Sequence, residues 1–486
     1  MKVAKMGRVS QLAAGEFILQ SCPLGSDATS RGRAMISKVR SAICWIAVLL
    51  FCIPWASAQD PCHAADRRAL ILSGGGVKGA FEAGAVYHLV VLRGCDFQDF
   101  AGVSVGALGS AFLAQAATSN DPAQSQAALA RQAEQLVSLW QGIKGPRDVM
   151  KGRRLGVVRF FVFGAESLND FTPLRRLIRA SIAAERLENG RAVRVGVTDF
   201  LNGSYREFAM NGPAAGGDKR NAARFIDFVF ASAVLPVAGR MPRIKEDTDA
   251  EEATQFGDGS LRVITPIGSY FRNCVAGDGA DGMQAGPLSV CDTMAHDPLQ
   301  QLFVVVTSPY ARGSDRLPVR DPKAFRPGTQ IIGNGKKILI RTLSIQNDTV
   351  YRAGLTHMLS ANDALRGRWE MWRTQVARPE AETSSGTWAT TFPWESYNPN
   401  PASHAPTRPY RIGLIMPEKE TADISDLLAF SPARIAEQLY DGCMAADRIM
   451  TGNFGLPSLA QECSWRFQTE GSGVAIQDGC LIGSGN

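Results

Sequence analysis

The chain is poor in histidine, has no CxxC motif and contains few long apolar runs. There are five His among 486 residues, and no group of Cys and His has the spacing usual for zinc ligands. We therefore expect no metal site. Apart from one amino-terminal segment, no stretch approaches the roughly 18–20 apolar residues that a membrane-spanning helix needs. This excludes a polytopic membrane protein.

The chain also lacks a strong charge once its first 58 residues are set aside. The net charge is +6, and seven Lys/Arg against two Asp/Glu in residues 1–58 account for +5 of it. A body close to neutral offers no electrostatic reason to bind nucleic acid, so we expect no nucleic-acid partner. A content of 45% hydrophobic and 20% charged residues is that of a globular protein and excludes disorder or a collagen-like chain.

Residues 35–58 have the three parts of a secretory signal peptide. Lys38 and Arg40 precede a 13-residue apolar run at 43–55, and small residues follow at 56–58. The run is shorter than a membrane span, although a signal anchor is the alternative. We therefore expect cleavage before Gln59 and export to the periplasm or the medium. Residues 1–34 show no pattern of their own and fit a mis-assigned upstream start.

Seven of the ten cysteines would remain after cleavage. An exported protein can form disulfides, and the odd number leaves at least one thiol outside an intramolecular bridge. We predict pairing of Cys274 with Cys291, which bracket a Gly/Asp-rich loop, and of Cys443 with Cys463, which bracket the end of a predicted helix.

Apolar strands and helical segments alternate along the mature chain, which predicts an α/β fold with a mainly parallel sheet. The predicted strands are 69–73, 100–103, 193–199, 205–210, 302–307 and 410–416. The predicted helices are 80–92, 107–117, 122–140, one opening at 172, 225–233, 336–359 and 431–450. We expect a core at 68–310, a continuation of the same fold at 311–450 and a Pro-rich excursion at 377–409. We assign no element to the tail at 451–486.

The sequence 102–106, Gly-Val-Ser-Val-Gly, is a G-x-S-x-G motif. An apolar strand precedes it and a helix rich in small residues follows, which is the context of a nucleophile elbow. In that reading Gly102 and Gly106 relieve crowding and Ser104 is exposed as the nucleophile. A tight turn with a structural serine is the alternative.

A second glycine cluster also lies between a strand and a helix. It consists of Gly74, Gly75, Gly76 and Gly79. Such a loop exposes backbone N–H groups that bind an anion, either a dinucleotide pyrophosphate or an oxyanion. A dinucleotide-binding site requires an acidic residue at the end of the second strand, whereas the second strand here ends in GVSVG. We therefore favour an oxyanion hole and expect no dinucleotide or other cofactor. Lys78 points either to water or toward a phosphate group of the substrate.

Asp258 lies before Gly259 in a turn and is a candidate partner of Ser104, although a plain Asp-Gly turn is the alternative. A Ser-Asp-His order is also available with one of three later histidines. None of these histidines lies in a turn after a predicted strand. The three are His296, His357 and His404.

The segment 144–163 combines a basic run with the apolar sequence VVRFFVF. Such a combination suits an anionic lipid surface, so a peripheral membrane contact is one reading. A solvated face beside a core strand is the other.

Taken in order, these blocks resemble the patatin-like phospholipase family. The resemblance is carried by SGGGVKGAFEAG, GVSVGAL, ASAVLPV and DGS, and later by ESLNDFTPLRRLI, LFVVVTS and LLAFSPARIAEQLYDG. It implies a three-layer α/β/α fold and a Ser-Asp dyad without histidine. Ser104 would be the nucleophile and Asp258 the base, with Gly74, Gly75 and Gly76 at the oxyanion hole and Lys78 near the substrate head group.

Two residues depart from the family pattern. Ser73 stands where plant members carry Asp, and Ser260 replaces the usual Gly or Ala after the Asp-Gly pair. The Ser260 hydroxyl can hydrogen-bond Asp258 and tune it.

The leading hypothesis is thus an exported lipid acyl hydrolase that acts on phospholipid or related esters through an acyl-serine. Three alternatives stay open at this point: an α/β-hydrolase with a Ser-His-Asp triad, a catalytically silent lipid-binding protein and, last, a dinucleotide-dependent oxidoreductase.

Overall fold

A computed structural model describes most of the chain between Cys62 and Phe467. The described residues are Cys62, 67–152, Val162, 165–211, 222–245, 252–268, Tyr270, 299–310, 335–376, 410–418 and 428–467. The predicted signal peptide, the extension at 1–34, the Pro-rich excursion and the Cys274 and Cys291 pair lie outside them.

Ten strands and nine α-helices are present in the described residues. The strands are β1 Arg67–Leu72, β2 Asp99–Val103, β3 Lys151–Gly152, β4 Asn169–Asp170, β5 Ala192–Asp199, β6 Tyr205–Met210, β7 Arg243–Ile244, β8 Thr254–Asp258, β9 Leu299–Val305 and β10 Arg411–Ile415. The helices are α1 Gly79–Val86, α2 Val105–Ala114, α3 Pro122–Gly142, α4 Thr172–Ser181, α5 Ala184–Glu188, α6 Ala222–Ser232, α7 Gly335–Val376, α8 Pro432–Gly452 and α9 Ala460–Phe467.

The central sheet is mainly parallel, as predicted. Its strand order is β10-β9-β1-β2-β5-β8-β7, with β6 also paired to β5. The five strands from β10 to β5 are parallel to their neighbours, whereas β6, β7 and β8 form antiparallel pairs. The parallel strands are apolar and buried because helices cover both faces of such a sheet.

Alternate side chains of β1 identify the two helical layers. Leu70 and Leu72 belong to one apolar cluster with residues of α1, α2, α3 and α8. Ala69 and Ile71 belong to a second cluster with residues of α7. Because successive side chains of a strand point to opposite faces, the sheet lies between two layers of helices. The predicted three-layer α/β/α fold is confirmed.

Six of the described strands and helices have no counterpart in the sequence prediction: β3, β4, β7, β8, α5 and α9. The sequence predicts only a turn at Asp258, whereas strand β8 ends there and is held by pairing with β5 and β7. The tail after Thr451 was assigned no element, and this is wrong for its first part, because α9 forms there. Burial of Cys463 and Phe467 against the core explains α9.

Disulfides join two pairs of cysteines in the described part of the chain. Cys443 on α8 is bonded to Cys463 on α9, as predicted, and Cys62 is bonded to Cys95, which was not predicted. None of the helices in the described ranges combines the length and apolarity of a membrane span.

Candidate active site

Ser104 occupies a sharp turn between β2 and α2. Its backbone has φ 56° and ψ −127°, a left-handed conformation that is costly for a residue with a Cβ and is typical of a nucleophile elbow. A Cβ at Gly102 would lie 2.1 Å from Gly106 O, and one at Gly106 would lie 2.3 Å from Ser73 O. Both flanking glycines are therefore required by close backbone packing around the turn.

The register of β5 brings Asp258 to Ser104. Val103, the residue before the serine, pairs with Gly196 of β5, and Asp258 pairs with the next residue, Val197. Strand β8 therefore continues along β5 from the point where β2 ends. The last residue of β8 lies beside the elbow, although 154 positions of sequence separate the two side chains.

The hydroxyl of Ser104 donates a hydrogen bond to Asp258, with 2.7 Å between Oγ and Oδ2. The other carboxylate oxygen, Oδ1, accepts from the Ser260 N–H at 2.8 Å. Burial raises the pKa of Asp258 from 3.8 to about 6, and hydrogen bonds from Ser104 and Ser260 oppose that rise. A carboxylate with this pKa is a stronger base than an exposed aspartate and is still ionised near neutral pH.

Two further hydroxyl groups hold the pair in place, and the sequence reasoning missed both. Ser232, at the end of α6, accepts from the Ser104 N–H at 2.8 Å and donates to Gly196 O at 2.6 Å. Thr198 on β5 donates to the Asp258 carbonyl at 2.9 Å. Ser232 lies within the ASAVLPV block, which was the one signal available for it.

The glycine-rich loop passes directly over the elbow. A Cβ at Gly74 would be 3.0 Å from the Cβ of Ser104, and the Gly74 N–H already donates to Ile264 O at 3.3 Å. Gly75 and Gly76 have φ 158° and 57°, and neither N–H donates to another backbone group among the described residues. Gly75 and Gly76 line the same cavity as Ser104, so their N–H groups are candidate donors to an oxyanion, while Gly74 permits the close approach of the loop to the elbow.

Glycines 79 and 259 allow the same elements to pack closely. A Cβ at Gly79 would meet Val105 and Trp140, and one at Gly259 would lie 2.4 Å from Gly196 O.

A buried carboxyl group, that of Glu82, accepts a hydrogen bond from the Ser73 hydroxyl at 3.3 Å. Burial raises the pKa of Glu82 well above its usual value.

Lys78 follows the loop and is almost fully buried. Its ammonium group donates to the Ser308 hydroxyl at 3.2 Å, and both residues line the cavity that contains Ser104. Thr307 lies next to Ser308 and donates to Gly74 O at 2.8 Å. The end of the cavity nearest the glycine loop is therefore polar and carries one cation.

The remainder of that cavity is apolar, and its volume is about 800 Å³. Ser104 and Asp258 both line it, together with side chains from α2, α3 and α4. Its apolar wall includes Leu108, Phe112, Leu136, Trp140, Phe171, Leu174, Ile178 and Phe430. A pocket of this kind accepts a long hydrocarbon chain and places a carbonyl next to the serine.

No histidine lines the cavity in the described part of the chain. His357 is exposed on α7, and the remaining candidates, His296 and His404, lie outside the described residues. His88 is buried elsewhere and accepts a hydrogen bond from Arg93 at 3.2 Å. Burial lowers the pKa of His88 to about 4, so its ring is neutral.

His88 also belongs to the one group of three potential metal ligands that the described ranges contain. The other members are Cys443 and Cys463, whose sulfurs lie 3.9 and 3.6 Å from His88 Nδ1. Because these sulfurs are bonded to each other, they are not thiolate ligands.

The described part of the basic segment is 144–152 with Val162. It contains a 3₁₀ turn at Pro146–Asp148 and strand β3, and Lys144, Arg147 and Lys151 are exposed. The cavity wall is adjacent, since Ile143 and Val149 line it. The rest of the segment lies outside the described residues.

Comparison with known proteins confirms the resemblance to a family. The model of the family described as patatin-like phospholipase matches residues 70–269, which include the glycine loop, the elbow and Asp258. No curated protein is significantly similar to the chain. The crystal structure of VipD from Legionella pneumophila aligns with 80% of this chain and 67% of its own, at 10% identity and a TM-score of 0.30. A likeness this weak supports no conclusion about the site.

Proposed function

Because residues 70–269 form a patatin-like phospholipase domain, we propose that this chain hydrolyses lipid esters with Ser104 as nucleophile and Asp258 as general base. The observation that carries the proposal is the 2.7 Å contact between Ser104 Oγ and Asp258 Oδ2 in the wall of a large apolar cavity. A Ser-His-Asp triad needs an imidazole between these two side chains, and so short a contact leaves no room for one.

In the first half of the reaction, Asp258 Oδ2 takes the proton of Ser104 as Oγ attacks the ester carbonyl carbon. The carbonyl oxygen becomes an oxyanion and is stabilised by the Gly75 and Gly76 N–H groups and by the amino-terminal end of α2. The tetrahedral intermediate then collapses. Its C–O bond to the alcohol breaks, the alcohol takes the proton from Asp258, and an acyl-serine remains.

In the second half, Asp258 takes a proton from a water molecule that attacks the acyl-serine. The new oxyanion occupies the same site, and Ser104 leaves with the proton held by Asp258. The products are a free fatty acid and the original dyad. The acyl chain lies along the apolar wall throughout, which keeps its carbonyl in place.

The polar end of the cavity suits the head group of the substrate. Lys78 and the Ser308 hydroxyl lie beside the glycine loop, so an anionic phosphate there would gain a charge-assisted hydrogen bond. We therefore propose that phospholipids are substrates and that Lys78 contacts their phosphate. Export through the signal peptide at 35–58, to the periplasm or the medium, is part of the same proposal.

The test is release of fatty acid from phospholipid vesicles by the mature protein. Ser104→Ala and Asp258→Asn should each lower the rate by about 10²–10⁴-fold, which is the usual contribution of such groups. Ser110→Ala is a matched control, because this buried serine on α2 bonds only to Ala101 O among the contacts described. A fluorophosphonate probe should label wild type and Ser110→Ala but not Ser104→Ala.

Two results would contradict the proposal. Loss of activity in His296→Ala or His404→Ala, with Asp258→Asn still active, would favour the triad. A wild-type protein that neither releases fatty acid nor reacts with the probe, yet binds vesicles, would be a lipid-binding protein.

A further inference from the structure

Exposed apolar side chains gather at the mouth of the active-site cavity. Among the described residues, six large hydrophobic side chains are exposed. Three of them, Phe200, Val237 and Leu261, also line the cavity, and a fourth, Leu201, follows Phe200 in the chain. Single exposed apolar residues are ordinary, but a cluster around one opening indicates an interaction site.

Leu201 is the most exposed of these six side chains, with 88% of its surface accessible to solvent. It lies in the turn between β5 and β6, and its N–H donates to Asp199 Oδ1 at 2.9 Å. The turn is closed by a second bond, from the Gly203 N–H to Asp199 O at 2.9 Å. Leu201 is therefore held in an outward position by a hydrogen-bonded turn.

Cationic side chains flank the apolar cluster. The Phe200 N–H donates to Gln255 O, and Gln255 pairs with Arg243 on the next strand. Two strand spacings therefore separate the backbones of Phe200 and Arg243, a distance of about 10 Å. Arg262 is the neighbour of Leu261 and is exposed.

Lys151 reaches the same rim from the other side. It lies on β3, which pairs with β4, and Leu168 N–H next to β4 donates to Val237 O at 2.8 Å. Glu166 at this rim pairs with Arg240 and Arg243. The segments that border the rim contain, among their described residues, four carboxylates and seven cations. The carboxylates are those of Asp148, Glu166, Asp170 and Glu252, and the cations are Lys144, Arg147, Lys151, Arg240, Arg243, Lys245 and Arg262. The described part of the rim therefore carries a net positive charge.

An apolar cluster within a positive rim is the pattern of a surface that inserts shallowly into an anionic bilayer. Resting on the function proposed above, we propose that Phe200, Leu201, Val237 and Leu261 dock the cavity mouth onto an anionic phospholipid bilayer. A lipid chain can then pass from the bilayer into the cavity without crossing water. The docking surface thus includes the turn at 200–201, whereas the sequence pointed only to 144–163.

The experiment measures binding to vesicles by a protein that cannot consume them. The full mature chain carrying Ser104→Ala is floated with vesicles of phosphatidylcholine alone or mixed equally with phosphatidylglycerol. Leu201→Glu is added to this background. Trp465→Glu is the matched control, because Trp465 is also exposed, at 54%, but does not line the cavity.

We expect binding to mixed vesicles that weakens at 0.5 M salt because the attraction is screened. Leu201→Glu should raise the lipid concentration needed for half binding by at least tenfold, since it removes an inserted side chain and adds a negative charge. Trp465→Glu should change it by less than twofold. Equal binding by Leu201→Glu and its parent, or equal binding to both vesicle types, would overturn the proposal.

A second measurement separates docking from chemistry. In the protein with Ser104 intact, hydrolysis of the soluble ester p-nitrophenyl butyrate should be the same with and without Leu201→Glu, while hydrolysis of vesicle lipid falls at least tenfold. If wild type cleaves neither substrate but its vesicle binding still depends on Leu201, the docking surface stands and the proposed chemistry fails. If Leu201→Glu lowers both activities equally, the residue supports the fold and the docking surface is wrong.

Discussion

The chemistry of single residues depends most on the environment of Asp258. In the proposed mechanism its carboxylate must be ionised to accept the serine proton, and burial raises its pKa to about 6. We therefore expect kcat/KM to fall below about pH 6, with one protonation on the acid side. The measurement is kcat/KM for a soluble ester between pH 4.5 and 8. An acid limb centred near pH 4, the value for an ordinary aspartate, would contradict the assignment.

Ser260 provides a variant of the same measurement. Its side chain and its N–H both hydrogen-bond the Asp258 carboxylate and lower its pKa. In Ser260→Ala only the backbone bond remains, so the pKa should rise and the acid limb should move to higher pH. Ser138→Ala, on the exposed face of α3, should leave the limb in place. A limb that stays fixed in Ser260→Ala would show that the hydroxyl does not tune the base.

Residue types alone singled out Ser104 and Asp258 as a pair but did not reveal the groups that hold them. Ser104 and Asp258 belong to short motifs whose glycines are required by the local backbone, so both residues can be recognised from the sequence alone. Ser232 and Thr198 act only because α6 and β5 place their hydroxyls against the elbow and the Asp258 carbonyl. Nothing in the sequence distinguishes these two residues from other serines and threonines. At Gly74 the motif misled in the other direction. It implied that the Gly74 N–H is an oxyanion donor, whereas in the structure this N–H donates to Ile264 O.

Among the elements, the crossing of α1 and α8 links the carboxyl-terminal part of the chain to the active site. A Cβ at Gly84 would lie 1.9 Å from Leu439 O, and a Cβ at Gly442 would lie 1.9 Å from Phe81 O. The two helices therefore touch backbone to backbone. Since α1 begins directly after the glycine loop, the position of α1 sets the position of the proposed oxyanion donors.

Gly442→Ala should separate these helices. We expect a loss of about 1–3 kcal/mol of stability from overpacking and a fall in kcat larger than any change in KM. Gly452→Ala is the control on the same helix, since nothing lies within 4 Å of its Cβ position, and alanine there should be neutral or slightly stabilising. Thermal denaturation and ester kinetics check both variants. Equal behaviour of the two would mean that the crossing tolerates a methyl group.

Most of the longer elements lie within a few residues of their predicted bounds, although α7 continues to Val376, well beyond its predicted end at 359. The short elements were missed for physical reasons. Strand β8 reads TQFGD, and only its pairing with β5 and β7 makes it a strand. Helix α9 has eight residues and is anchored by the disulfide to α8 and by the packing of Phe467 on Tyr87, with ring centroids 5.3 Å apart. A helix this short is not stable alone, so its sequence carries little signal.

At the scale of the whole molecule, both ends of the described chain are tied to the core next to α1. Cys62 is joined to Cys95 just beyond the helical segment that continues α1, and α9 is joined to α8, which packs on α1. Disulfides form and persist mainly in oxidising compartments. The two bridges therefore fit the export that we propose from the predicted signal peptide, and they are a feature independent of that segment.

This agreement yields a prediction about the thiols of the exported protein. Cleavage before Gln59 removes Cys22, Cys44 and Cys52 and leaves seven cysteines. The two bridges in the structure use four of them, and the predicted Cys274–Cys291 pair uses two more. Cys480 should thus be the single thiol that reacts with iodoacetamide in denatured, unreduced protein.

The measurement is peptide mass spectrometry of protein secreted from its full gene, with cytosolic protein lacking residues 1–58 as the control. The exported sample should begin at Gln59 and carry one modified cysteine, Cys480, whereas the cytosolic sample should carry several. Modification of Cys443 and Cys463 in the exported sample would contradict the bridge that holds α9. A retained leader would instead indicate a signal anchor, because the apolar run would then remain in the membrane rather than being cut away.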